Sequence, residues 1–97
     1  MFARVSTIQG KPEQTEDGIR QYREHVMPAG KKMAGFKGAY FLVDRKSGKV
    51  VGITLWDTER NLQDSTKAAD QLRAQASQTV AASKPPTVDI YEVAVQP

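Results

Sequence analysis

Five side chains in this 97-residue chain are of types that could do chemistry on a small molecule: Arg4, Tyr22, His25, Tyr40 and Trp56. His25 is the only histidine, three residues beyond Tyr22, so a helix would bring the two together. An imidazole there suits a general base, or equally a half-exposed structural residue on the helix flank. Trp56 ends an apolar run in which Gly52 and Thr54 share its strand face. A large ring beside small residues can wall a pocket or close a core layer. Arg4 lies inside a strand-like stretch, where a cation needs either a salt bridge at the strand end or a ligand anion. Tyr22 and Tyr40 complete a candidate substrate-binding set with Arg4 and Trp56, and His25 and Trp56 form the candidate catalytic pair.

Other chemistries are excluded. With no cysteine, one histidine and no carboxylates at ligand spacing beside it, the chain holds no metal motif. It carries no phosphate-binding glycine loop and no hydrolase nucleophile elbow, and no cofactor is expected. The net charge of +3 is spread along the chain, with small concentrations at Lys31-Lys32 and at Arg45, Lys46 and Lys49. A nucleic-acid binder needs a basic stripe with interleaved aromatics or a known module, and neither is present. No apolar run approaches the length of a membrane span, and no secretory signal pattern precedes the first strand. The expectation is a cytoplasmic protein without nucleic-acid or membrane partners.

The elements that must position these residues follow from periodicity. Residues 2–8 are rich in β-branched types and end at Gln9-Gly10-Lys11-Pro12, which predicts a strand and a loop. Glu13, Glu16 and Asp17 open a helix carrying Ile19, Tyr22, Val26 and Met33 on one stripe, with a break or kink at Pro28. Residues 38–44 and 50–56 are strands joined by a turn at Ser47-Gly48. Asp57-Thr58-Glu59 caps a second helix, which runs from about residue 58 to 82 with Leu62, Ser65, Ala69, Leu72, Ala76 and Val80 facing inward. Val88 to Val95 is the last strand. Small residues on facing layers, Gly38 and Gly52 against Ser65, Ala69 and Ala76, leave either a cavity or a close helix–sheet approach.

The order is β-α-β-β-α-β, one ferredoxin-like α+β domain over residues 1–97 with both helices on one face of a four-stranded antiparallel sheet. Yet the strands are apolar on both faces. Val51, Ile53 and Leu55 alternate with Val50, Gly52, Thr54 and Trp56, and Tyr40 and Leu42 alternate with Ala39, Phe41 and Val43. Two helices cannot cover both faces. A second copy packed sheet to sheet can, which predicts a homodimer forming a dimeric α+β barrel.

In this element order, and in Gly35-Phe36-Lys37-Gly38-Ala39-Tyr40 and Leu55-Trp56-Asp57-Thr58-Glu59, the chain resembles the antibiotic-biosynthesis-monooxygenase-type family of dimeric α+β barrels. The resemblance covers nearly the full length, but its motifs are short and shared by members of unlike function. It implies a cofactor-independent monooxygenase, or a related enzyme, acting on a small aromatic molecule between helices and sheet. Haem-degrading members use an asparagine on the first strand, the tryptophan ending the third and a histidine on the second helix. Only Trp56 matches, so the resemblance does not extend to haem degradation. A non-catalytic dimeric barrel that binds a small ligand, or has a structural role, is the alternative.

Overall fold

Strands β1 (Phe2–Gln9), β2 (Phe36–Val43), β3 (Lys49–Trp56) and β4 (Thr87–Glu92) form one antiparallel sheet in the order β2-β3-β1-β4. This is seen in a computed structural model that describes Met1–Pro97. The β1–β2 connection is helical almost throughout: a 3₁₀ turn at Pro12–Gln14, α1 (Thr15–Gln21), a π-helical turn at Tyr22–Val26, and α2 (Met27–Lys31). Helices α3 (Glu59–Asp64) and α4 (Thr66–Thr79) link β3 to β4. The architecture is the ferredoxin-like α+β arrangement expected from the sequence.

Local chemistry explains where the elements differ from expectation. Pro28 does not interrupt the helical path. The Met27 amide donates to the Tyr22 carbonyl five residues back, so the wider turn is closed just before the residue that lacks an N–H. The second helix is split at Ser65, whose φ of −84° and ψ of −5° depart from regular α-helical values. Its hydroxyl donates to the Leu62 carbonyl at 2.6 Å, a local side-chain bond that competes with the helix ladder. At the start of α3, Thr58 Oγ1 accepts from the Asn61 amide at 3.1 Å, as the capping pattern predicts. The hairpin turn closes through Asp44 Oδ1, which accepts from the Lys46 amide at 3.0 Å, while Gly48 supplies a φ of +80°. β4 ends three residues earlier than predicted, because its pairing with β1 stops at Glu92; Val95 is 89% exposed.

Register divides the sheet into two faces. Arg4, Ser6 and Ile8 of β1 lie beside Thr54, Gly52 and Val50 of β3, with Ala39, Phe41 and Val43 of β2 on the same side. Helices cover this face over β1, β2 and β3, while Val88 and Ile90 of β4 on the same side stay 41% exposed. The covered part is packed at both ends, by Ile8, Val50 and Val80 at one and by Trp56 and Leu62 at the other. The opposite face carries Val5, Val51, Ile53, Tyr40, Leu42 and Tyr91 and has no cover within the chain. Tyr40, Leu42 and Tyr91 are 60%, 50% and 56% exposed.

Helix α4 stops in a Schellman motif: the Ala82 amide bonds the Ser77 carbonyl at 2.9 Å and the Ala81 amide bonds that of Gln78 at 3.1 Å. The motif needs a left-handed residue, and here an alanine adopts it, with φ 54°. Ala81→Gly relieves that strain and should stabilise the domain by about 0.5–1 kcal/mol. Thermal unfolding checks this: the midpoint should rise by roughly 2–8 °C.

Candidate functional site

Between the two packed ends of the helix face the strands present small residues, Ser6, Gly52 and Thr54, opposite Ala69 and Ala76 of α4. The outcome is a partly open cavity of about 70 Å³ between helices and sheet. Tyr22 and Val26 of the π-turn close one side and Leu72 and Arg73 of α4 another, while Phe41 and Arg4 rise from the sheet. Tyr22 stacks on Phe41 with ring centroids 4.6 Å apart. Gly52 allows this approach, since a Cβ there would stand 3.2 Å from Tyr22 Cε2.

Two guanidinium groups border the cavity. Arg4 is only 4% exposed. Its Nη1 donates to Ser65 Oγ at 3.0 Å, and its Nη2 to the Leu62 carbonyl at 2.9 Å and to Thr66 Oγ1 at 3.2 Å. All three acceptors are neutral, and Arg4 forms no ion pair. Burial lowers its pKa from the usual value, with repulsion from Arg73 adding to the effect and attraction to Asp70 opposing it. Arg73 donates from Nε to Ser6 Oγ at 3.1 Å and from Nη1 to Asp70 Oδ1 at 2.7 Å, leaving Nη2 without a partner. Asp70 is the one carboxylate engaged, at the rim with 62% of its side chain exposed. The cavity therefore carries an excess of positive charge.

The sequence-derived candidates divide. Arg4 and Tyr22 come together in the cavity. Trp56 does not line it. Trp56 is 2% exposed, packs edge-on against Phe36 with centroids 5.6 Å apart, and donates from Nε1 to Thr54 Oγ1 at 3.0 Å. It supports the end of the cavity through Thr54. Tyr40 sits on the opposite sheet face, because strand alternation sends residues 40 and 41 to opposite sides. His25 is exposed and borders a separate, shallow polar depression with Asp17, Arg20 and Glu24. No group of three or more His, Cys, Asp or Glu side chains is placed to hold a metal ion. Arg73 escaped the sequence reading, although its position four residues beyond Ala69 and beside Leu72 puts it on the border of the inward stripe.

The Tyr22 hydroxyl donates to the Ile53 carbonyl at 3.4 Å, and burial pushes its pKa up to about 12. The phenol is thus a hydrogen-bond donor at neutral pH and not a base. Because its folded pKa lies above the ordinary 10.0, its contribution to stability is fully present below pH 10 and is lost as pH rises towards 12. Chemical denaturation across that window should show stability falling in the wild type. Tyr22→Phe should lose less over the same window, and an equal loss would show that Tyr22 is not the group responsible.

No helix is long and apolar enough to cross a membrane. No family model matches the chain. An uncharacterized protein of Mycobacterium tuberculosis, Rv2557, is 32% identical over 94 residues, covering 97% of this chain. The chain spans only 41% of that relative's length. Among solved structures, a monooxygenase of Streptomyces coelicolor in complex with the ligand nanaomycin D superposes with a TM-score of 0.75 at 20% identity, over 99% of this chain and 91% of that one. The structure of an antibiotic biosynthesis monooxygenase superposes at 0.69 and 19% identity, over 98% of this chain and 100% of that one. The fold of the chain is that of the antibiotic-biosynthesis-monooxygenase-type proteins.

Proposed function

We propose that the protein is a cofactor-independent monooxygenase of a small, electron-rich aromatic molecule, acting in the cavity between its helices and sheet. The observation that carries this reading is one cavity combining the Tyr22–Phe41 aromatic wall with the cationic groups of Arg4 and Arg73. The Streptomyces neighbour, a monooxygenase with a bound ligand on the same fold, supports the reaction class. In such a reaction the substrate, having lost a proton to solvent, donates an electron to dioxygen, and the two radicals recombine at a ring carbon to form a hydroperoxide. One oxygen atom stays as a carbonyl and the other leaves as water, all four electrons coming from the substrate. Fixed guanidinium groups at low dielectric favour the anion from which the first electron departs.

Oxygen consumption with anthrone and with simple hydroquinones tests this. Uptake matching substrate loss one to one is expected for anthrone, and Arg73→Gln should slow it on the order of 10²-fold. No uptake above the uncatalysed rate with any of these substrates would defeat the enzymatic reading. One observation favours a second reading, a binding protein without turnover: no carboxylate, imidazole or amine lines the cavity to accept a proton. A ligand that co-purifies in native mass spectrometry and is not consumed under oxygen would establish it.

The same reading includes a homodimer joined through the open sheet face, whose exposed Tyr40, Leu42 and Tyr91 form an apolar surface. Sedimentation equilibrium should give twice the 10.7 kDa chain mass. Leu42→Asp, which places a charge in the middle of that face, should return the monomer with the domain still folded by circular dichroism.

A further inference from the structure

We infer that the cavity takes its ligand as a pre-formed anion: an aromatic molecule that places one ring and an ionised oxygen inside, received at the guanidinium of Arg73. The inference rests on the cavity reading above and narrows its substrate class. Three observations lead to it.

The first is charge. Arg4 and Arg73 both border the cavity, and the only carboxylate that pairs with either is Asp70 at the rim. Buried cations are ordinarily matched by anions, and Arg4 is matched only by neutral oxygens of Leu62, Ser65 and Thr66. One positive charge is left for a ligand to neutralise. The second is direction. Ser6 Oγ and Asp70 hold Arg73 at Nε and Nη1, which fixes the plane of the guanidinium while Nη2 makes no hydrogen bond. A planar donor held on two sides is pre-organised for an oxyanion. The third is the lack of a base. The ionisable groups that line the cavity are Arg4, Tyr22 and Arg73, and none of them takes a proton from a ligand at neutral pH. The proton of an acidic ligand must therefore go to solvent and not to the cavity wall, which favours a ligand that arrives already ionised.

Size sets the rest. About 70 Å³ is roughly half of the ~150 Å³ apolar cavity that admits benzene. One ring fits inside with its ionised oxygen at Arg73, and the remainder of a larger ligand would extend through the opening.

The charge can come from a carboxylate or from an acidic phenol, and one titration separates them. Wild-type protein labelled with ¹⁵N is titrated at pH 8 with benzoate, 4-nitrophenolate and neutral benzyl alcohol, following the Ser6, Gly52 and Arg73 amides. At least one anion should move these signals with a Kd about tenfold or more below that of benzyl alcohol. Arg73→Gln should weaken the anion about tenfold and leave the alcohol unchanged, while Arg73→Lys should recover part of the loss. Benzoate alone binding assigns the carboxylate class, and 4-nitrophenolate alone the ionised phenols. Equal affinity for benzyl alcohol and the anions, at these same amides, would overturn the charge selection and leave the cavity reading intact. If no probe moves the cavity amides, or benzoate moves only surface lysines, the cavity reading falls and the inference with it.

Discussion

The arrangement of helices over the sheet depends on one buried guanidinium. Arg4 projects from a central strand into the helix layer and binds the junction of α3 and α4 through three oxygens. Removing a guanidinium from water costs several kcal/mol, and hydrogen bonds to a charged group are the strong kind that offset such a cost. Ser65 can accept from Arg4 because its hydroxyl turns its own proton to the Leu62 carbonyl, and that same bond accompanies the break in the helix. The helix break and the buried cation are therefore one arrangement. α4 starts from a fixed point above β1.

From that point α4 runs over the part of the sheet where side chains are smallest. Protein interiors ordinarily close such gaps by drawing layers together. Here both ends hold the layers apart. Trp56 and Phe36 fill one end, and Ile8, Val50 and Val80 fill the other. Arg73 spans the gap between them, from α4 to Ser6 on the sheet. The small residues then leave space, and the space inherits the charge of the two arginines beside it.

The parts of this arrangement that were legible in sequence are those set by short-range rules. Alternation of two and a helical stripe located the strands, the helix faces and the uncovered second face. The Asp57-Thr58-Glu59 cap and the Ser47-Gly48 turn stand where their chemistry puts them. Small residues at Gly52, Ala69 and Ala76 marked the place where a cavity forms, although their pattern alone allowed close packing instead. Long-range pairings were not legible. Nothing local to Arg4 says that its partners lie 58 to 62 residues away, or that all three are neutral. Arg73 reads as an ordinary solvated arginine on a helix border until Ser6 is placed beneath it. Residue type alone points to Trp56 and His25, but the fold sets Trp56 in the packing and His25 at the surface.

The two faces of the sheet are also coupled through single strands. Phe41, which stacks under Tyr22 in the cavity, lies between Tyr40 and Leu42, whose side chains emerge on the open face. Ile53 takes part on both sides, since its carbonyl accepts the Tyr22 hydroxyl while its side chain belongs to the open face. Only 15 of 97 residues are buried in the single chain, so the sheet has little packing of its own to hold the cavity wall still. A cover on the open face would bury Tyr40 and Leu42 and thereby fix the backbone that carries Phe41. Recognition of a small planar ligand needs wall positions held within a fraction of an ångström. The strand pleat itself thus links the two faces: whatever packs on Tyr40 and Leu42 bears on the backbone that carries Phe41.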